Sequence, residues 1–135
     1  MTGGRRSGGS RAATVAGSGV SYDAECPVSV ELRFDSPHVV NYHLWVALPD
    51  SPLQKVASGT DEDLTTVTGH RHVIGPYPAG TLISYLVMFV GNPQTAYKGQ
   101  LAVTQDGQTI EGGLVTFQGQ TNVDGAAVAR GEVPL

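Results

Sequence analysis

Apolar and polar residues alternate along most of this chain with a period of two. Val28, Val30, Leu32 and Phe34 are interleaved with Ser29, Glu31, Arg33 and Asp35, the spacing that turns one side of a strand to a core and the other to water. Ser36-Pro37 closes that segment, and Val39 to Leu48 predicts a second strand that ends at Pro49-Asp50-Ser51-Pro52. A weaker strand around Lys55 to Ser58 runs into a polar bend from Gly59 to Asp63, and the β-branched stretch Thr65 to Ile74 predicts a fourth strand. Gly75 to Gly80, with Pro76 and Pro78 inside it, reads as a stiff connection. Leu82 to Val90 is the most apolar strand, and Gly91-Asn92-Pro93 terminates it.

Tyr97, Leu101 and Val103 share one parity across Ala96 to Gln105. Asp106-Gly107 before Thr109-Ile110 is the strongest hairpin signal in the chain. Leu114 to Gln118 continues beyond it, Asn122 to Gly125 is a second turn of similar chemistry, and Ala126 to Val133 predicts the last strand. No window of about eleven residues keeps helical apolar spacing without a Gly or Pro breaking it. About eight short strands so spaced predict an all-β, antiparallel two-sheet sandwich, with a small barrel as the alternative.

Two of these strands carry more apolar surface than a two-layer domain needs. Val40, Tyr42, Leu44, Val46 and Leu48 form one face of the second strand, while Val39, Asn41, His43, Trp45 and Ala47 form the other. In the fifth, Ile83, Tyr85, Val87 and Phe89 oppose Leu82, Leu86, Met88 and Val90, with Ser84 as the polar member of the latter face. If these strands lie side by side, their outer faces merge into a patch containing Trp45, Leu86 and Met88, and patches of this kind mark partner sites. Burying four such side chains is worth on the order of 6–12 kcal/mol before the costs of association. Val15, Val20 or the Pro-rich connection folding over the face would cover it instead.

The stretch GPYPAGTLISYLVMFV, with Trp45 in a preceding strand, resembles the corner and penultimate strand of immunoglobulin-like and fibronectin type III domains. That resemblance implies the sandwich fold and carries no function.

Composition adds limits. The chain has 135 residues, of which 18 are Gly and 8 are Pro, and 15% are charged; this is one domain, and not a collagen, coiled coil or polyelectrolyte. Residues 1–19 hold six Gly, three Ser and Arg5, Arg6 and Arg11, which predicts a flexible basic arm ahead of a domain at 20–135. From residue 12 onward five cations face twelve acids, a net of −7. A body of that charge does not collect phosphates, so nucleic acid is not an expected partner. The longest apolar run, Tyr85 to Val90, is six residues, too short for a bilayer. The arginines have no apolar segment behind them, so the expected location is cytoplasmic, or outside after leaderless release.

The candidate chemistry is sparse. Cys26 is the only cysteine and has Asp23 and Glu25 beside it, the wrong sign for a nucleophile, so it is expected to be a small core residue. His70 and His72 share a strand face and would need further ligands to hold zinc; a solvated or hydrogen-bonded pair is expected, and no metal is assigned. Asp61-Glu62-Asp63 lacks the spacing of a calcium loop and reads as a solvated turn. Gly112-Gly113 reads as a bulge or close strand crossing. With no P-loop, dinucleotide fingerprint or Ser-His-Asp signature, neither a cofactor nor a catalytic residue is assigned.

The expected function is a non-catalytic interaction or assembly module. It self-associates or binds a protein partner through Trp45, His43, Asn41, Leu86 and Met88. A lectin-like module that stacks a glycan on Trp45, or on Tyr77 of the stiff connection, is the first alternative; a small β-barrel enzyme with an internal pocket is the second.

Overall fold

A computed structural model describes residues 19–62 and 68–135. The expected arm (1–18), Asp63 and the expected strand start at 65–67 lie outside the described residues. Among these residues there are eight strands: β1 (Val28–Phe34), β2 (His38–Ala47), β3 (Gln54–Asp61), β4 (Thr68–Ile74), β5 (Leu82–Gly91), β6 (Ala96–Gln105), β7 (Gln108–Gln120) and β8 (Ala126–Pro134). They form two antiparallel four-stranded sheets, sheet I in the order β4-β1-β6-β7 and sheet II in the order β3-β2-β5-β8. This is a sandwich, not a single closed barrel. Hairpins join β2 to β3 and β6 to β7, and every other connection crosses between the layers.

The alternation read from the sequence sets which side chains meet between the sheets. Val30 and Leu32 from β1, Leu44 from β2, Ile83, Val87 and Phe89 from β5, and Leu101 and Val103 from β6 are fully buried there. Each such side chain contributes about 1.5–3 kcal/mol relative to exposure. The Asp106-Gly107 turn follows its chemistry: both residues have positive φ (51° and 74°), as a two-residue hairpin turn of the right hand requires. Gly112, at φ 74°, sits in β7 close to a register shift in the facing strand between Ala102 and Thr104, so the expected bulge is present.

Several strand glycines make room for rings on the adjacent strand. A Cβ on Gly59 would lie 2.6 Å from Tyr42 Cζ, one on Gly99 2.8 Å from Phe34 Cδ1, one on Gly119 2.8 Å from the Tyr97 hydroxyl, and one on Gly131 2.9 Å from Tyr85 Cζ. In each case glycine and ring are direct cross-strand partners. The aromatic ring covers the glycine and restores the apolar contact that the missing side chain would have made.

Two expectations are corrected. Asp61 is not part of a solvated bend: β3 continues pairing with β2 as far as Val40↔Asp61, and Asp61 is 4% exposed. Cys26 is not a core residue but lies half-buried just before β1. Its thiol meets Asp23 Oδ2 at 3.4 Å, because the turn from Asp23 to Cys26 holds it at the rim, outside the layers.

Candidate functional site

β2 and β5 are adjacent and fully in register, from His38↔Gly91 to Ala47↔Leu82, so their outer faces form one surface. Across it, Trp45 pairs with Ser84, His43 with Leu86 and Asn41 with Met88. β8 extends each row: Ser84 faces Glu132, Leu86 faces Arg130 and Met88 faces Val128. Trp45, His43, Asn41, Leu86 and Met88 are all half-buried, shielded by one another and still open to solvent. Five large apolar residues are exposed among the described residues, and three of them border this face: Leu53 (56%), Val90 (49%) and Val128 (58%).

Trp45, Leu53, Leu86, Ser84, Arg130 and Glu132 line a shallow groove of about 520 Å³. The His43 ring tilts against Trp45 with centroids 5.8 Å apart. His43 Nδ1 is shielded from solvent without a hydrogen-bond partner among the described residues. Asn41 Oδ1 accepts a 2.8 Å hydrogen bond from the Thr60 hydroxyl, which occupies one of its polar groups. Val20 is not over this face. It lies along β7 in sheet I, where its N–H donates to Thr109 and its carbonyl accepts from Glu111.

The outer face of sheet I differs in chemistry. Arg71 donates to Ser29 Oγ at 2.9 Å and Thr104 donates to Glu31 Oε2 at 2.9 Å. These pairs, with Arg33, Gln100 and Thr116 in the next row, give it a largely polar surface, interrupted by the exposed Val73 and by the neighbours Ala102 and Leu114. Only sheet II places its outward apolar residues side by side over three strands.

A second cluster sits between the layers at the β3/β4 margin. His70 and His72 do share a face, and it points inward toward β2. The Tyr42 hydroxyl shares a 2.6 Å hydrogen bond with His72 Nε2, and His70 Nε2 lies 3.2 Å from Asp61 Oδ2. Burial, and secondarily the charge of Asp61, raise the Tyr42 pKa above its usual value, so the phenol stays protonated. Each imidazole has its own partner, and among the described residues no three His, Cys, Asp or Glu side chains converge to hold a metal. The cluster ties sheet I to sheet II through hydrogen bonds.

Sequence reasoning placed the five face residues together correctly and missed their neighbours on β8. Val128, Arg130 and Glu132 carry the same outward parity, but β8 gave no sign from its sequence that it pairs with β5. Comparison of the chain with protein-family models, with curated proteins and with solved structures finds no match. Among the described residues no helix is long and apolar enough to cross a membrane.

Proposed function

We propose that this chain is a non-catalytic interaction and assembly module that self-associates through the outer face of sheet II. The observation that carries this reading is the continuity of Trp45, Leu86 and Met88 with the exposed Val90 and Val128. A sheet surface of that composition loses free energy when it is covered. A second copy offers the same surface, so one two-fold contact covers both.

Light scattering at two concentrations tests it. The reading expects a mass above one chain at tens of micromolar, lowered by Leu86→Glu while the far-ultraviolet circular dichroism stays unchanged. A monomer at tens of micromolar would contradict it.

One observation favours a second reading, the lectin-like one. The groove sets Trp45 beside Ser84, Arg130 and Glu132, an aromatic with hydroxyl, cation and carboxylate in reach of one sugar. Retention on a glycan array that is lost in Trp45→Ala without change of oligomer size would establish it in place of assembly.

A further inference from the structure

The edge of sheet II formed by β8 carries a contact of its own. Among the described residues β8 is hydrogen-bonded to β5 alone, in a register unbroken from Leu82↔Pro134 to Val90↔Ala126. It is nine residues long. An edge strand of this length with an unbroken register is a template for another chain unless something blocks it. The opposite edge of the same sheet is blunted, since β3 has a register shift at Leu44/Trp45 and presents Lys55 beside it.

The free backbone groups of β8 can be assigned. Leu135 donates its N–H to Thr81 and accepts from Gly80, and the Gly125 carbonyl accepts from Gly91, so odd-numbered positions face β5. Ala126 instead accepts from the Asn122 N–H and donates to Asn122 Oδ1. By the alternation of a strand, Val128, Arg130, Glu132 and Pro134 therefore turn their peptide groups to the open side. Pro134 fits this, because its missing N–H costs the ladder with β5 nothing.

We propose that this edge pairs antiparallel with β8 of a second copy about a two-fold axis at Gly131, joining two copies of sheet II into one continuous sheet. In that register Arg130 lies directly opposite Glu132 of the second copy, Glu132 opposite its Arg130, and Val128 opposite its Pro134, whose carbonyl accepts from Val128 but which, lacking an N–H, returns no hydrogen bond. Moving the axis by one residue sets Arg130 against Arg130 or Glu132 against Glu132, and like charges directly opposite are destabilising. The charges thus favour this register over its two neighbours. Within a single chain neither is committed: Arg130 has no ion pair among the described residues, and Glu132 accepts only a 3.4 Å hydrogen bond from the Ser84 hydroxyl. Gly131 on the axis brings no side chain into the close pair that forms there.

This contact does not rest on the outer-face reading, since an edge pair forms whether or not the face is covered. Its test uses charge reversal followed by sedimentation velocity. Glu132→Arg gives a chain with two cations at these positions and Arg130→Glu one with two carboxylates. Each alone is expected to self-associate at least about tenfold more weakly through this edge. An equimolar mixture of the two restores the pair as a heterodimer, and the double exchange R130E/E132R restores the wild-type mass. In the Leu86→Glu background, which removes the face contact, the chain is expected to remain a dimer until Glu132→Arg is added. Failure of the mixture and of the double exchange to recover association overturns the proposal. So does a monomeric Leu86→Glu chain at tens of micromolar, which leaves the face reading standing. A Leu86→Glu chain with wild-type mass that dissociates on charge reversal supports the edge and removes the face.

Discussion

Gly59→Ala is a substitution whose sign the structure reverses. In an ordinary strand this change stabilises by about 0.4–1 kcal/mol, because alanine restricts the unfolded chain. Gly59 does not use a left-handed conformation, so its backbone accepts alanine. The added methyl would nevertheless lie 2.6 Å from Tyr42 Cζ and 2.8 Å from Cε2. Tyr42 cannot swing away: it is 1% exposed, stacked edge-on to His70 and His72, and bonded through its hydroxyl to His72.

Overpacking of this kind costs about 1–3 kcal/mol, which leaves a net loss of roughly 1–2 kcal/mol after the chain-entropy gain. At about 4 °C per kcal/mol the melting temperature falls by about 4–8 °C. Gly69→Ala is the control. Its methyl would touch only Arg33 Cγ at 3.8 Å, so it should be neutral or slightly stabilising.

Urea unfolding at fixed protein concentration measures both. In a Tyr42→Leu background the clash is gone, and Gly59→Ala should stabilise by about 0.4–1 kcal/mol, giving a coupling of about 1–3 kcal/mol between the two positions. If Gly59→Ala and Gly69→Ala shift the midpoint alike, or if no coupling to Tyr42 appears, the account of paired glycines and rings is wrong.

Two further outcomes concern titration. The hydrogen bond from Cys26 to Asp23, and that carboxylate's charge, hold the thiol above its usual pKa; alkylation by iodoacetamide near pH 8 should be slower than for an unperturbed thiol and should speed up in Asp23→Asn, whereas equal rates would refute the pairing. Burial raises the phenol pKa of Tyr22, Tyr42, Tyr77 and Tyr85, so the fold favours their neutral form. The stability they contribute is complete below the ordinary value of about 10 and is lost as pH rises through the folded values. Phenolate absorbance should therefore appear at higher pH in the folded chain than in urea, and coincident titrations would contradict this.

The strands were legible because each buried face repeats at every second residue. Val28 to Phe34, Leu82 to Val90 and Ala96 to Gln105 needed little beyond that period, and the Asp106-Gly107 turn carries its own backbone chemistry. Partnerships between distant segments were not legible. Asp61 looks like one of three acids in a polar turn until β3 pairs with β2 and brings it under His70 of the other sheet. Gly59 reads as the start of a polar bend, and Gly99, Gly119 and Gly131 carry no signal of their own, until the register sets a ring over each. The candidate face was half visible: β2 and β5 announce their outward apolar residues, whereas Val128, Arg130 and Glu132 join them only through the β5–β8 pairing. Polar and small residues set these contacts, and a local period says little about where such residues meet.

The chain's single tryptophan sits in the face whose covering is the central claim. Its fluorescence, followed as the protein is diluted from tens of micromolar to nanomolar, reads that claim directly. Assembly through the face predicts a red shift and stronger acrylamide quenching on dilution, with Leu86→Glu showing the dilute-state signal at every concentration. An emission maximum and quenching constant that do not change with concentration, and that Leu86→Glu leaves as they are, would show that Trp45 faces no second copy.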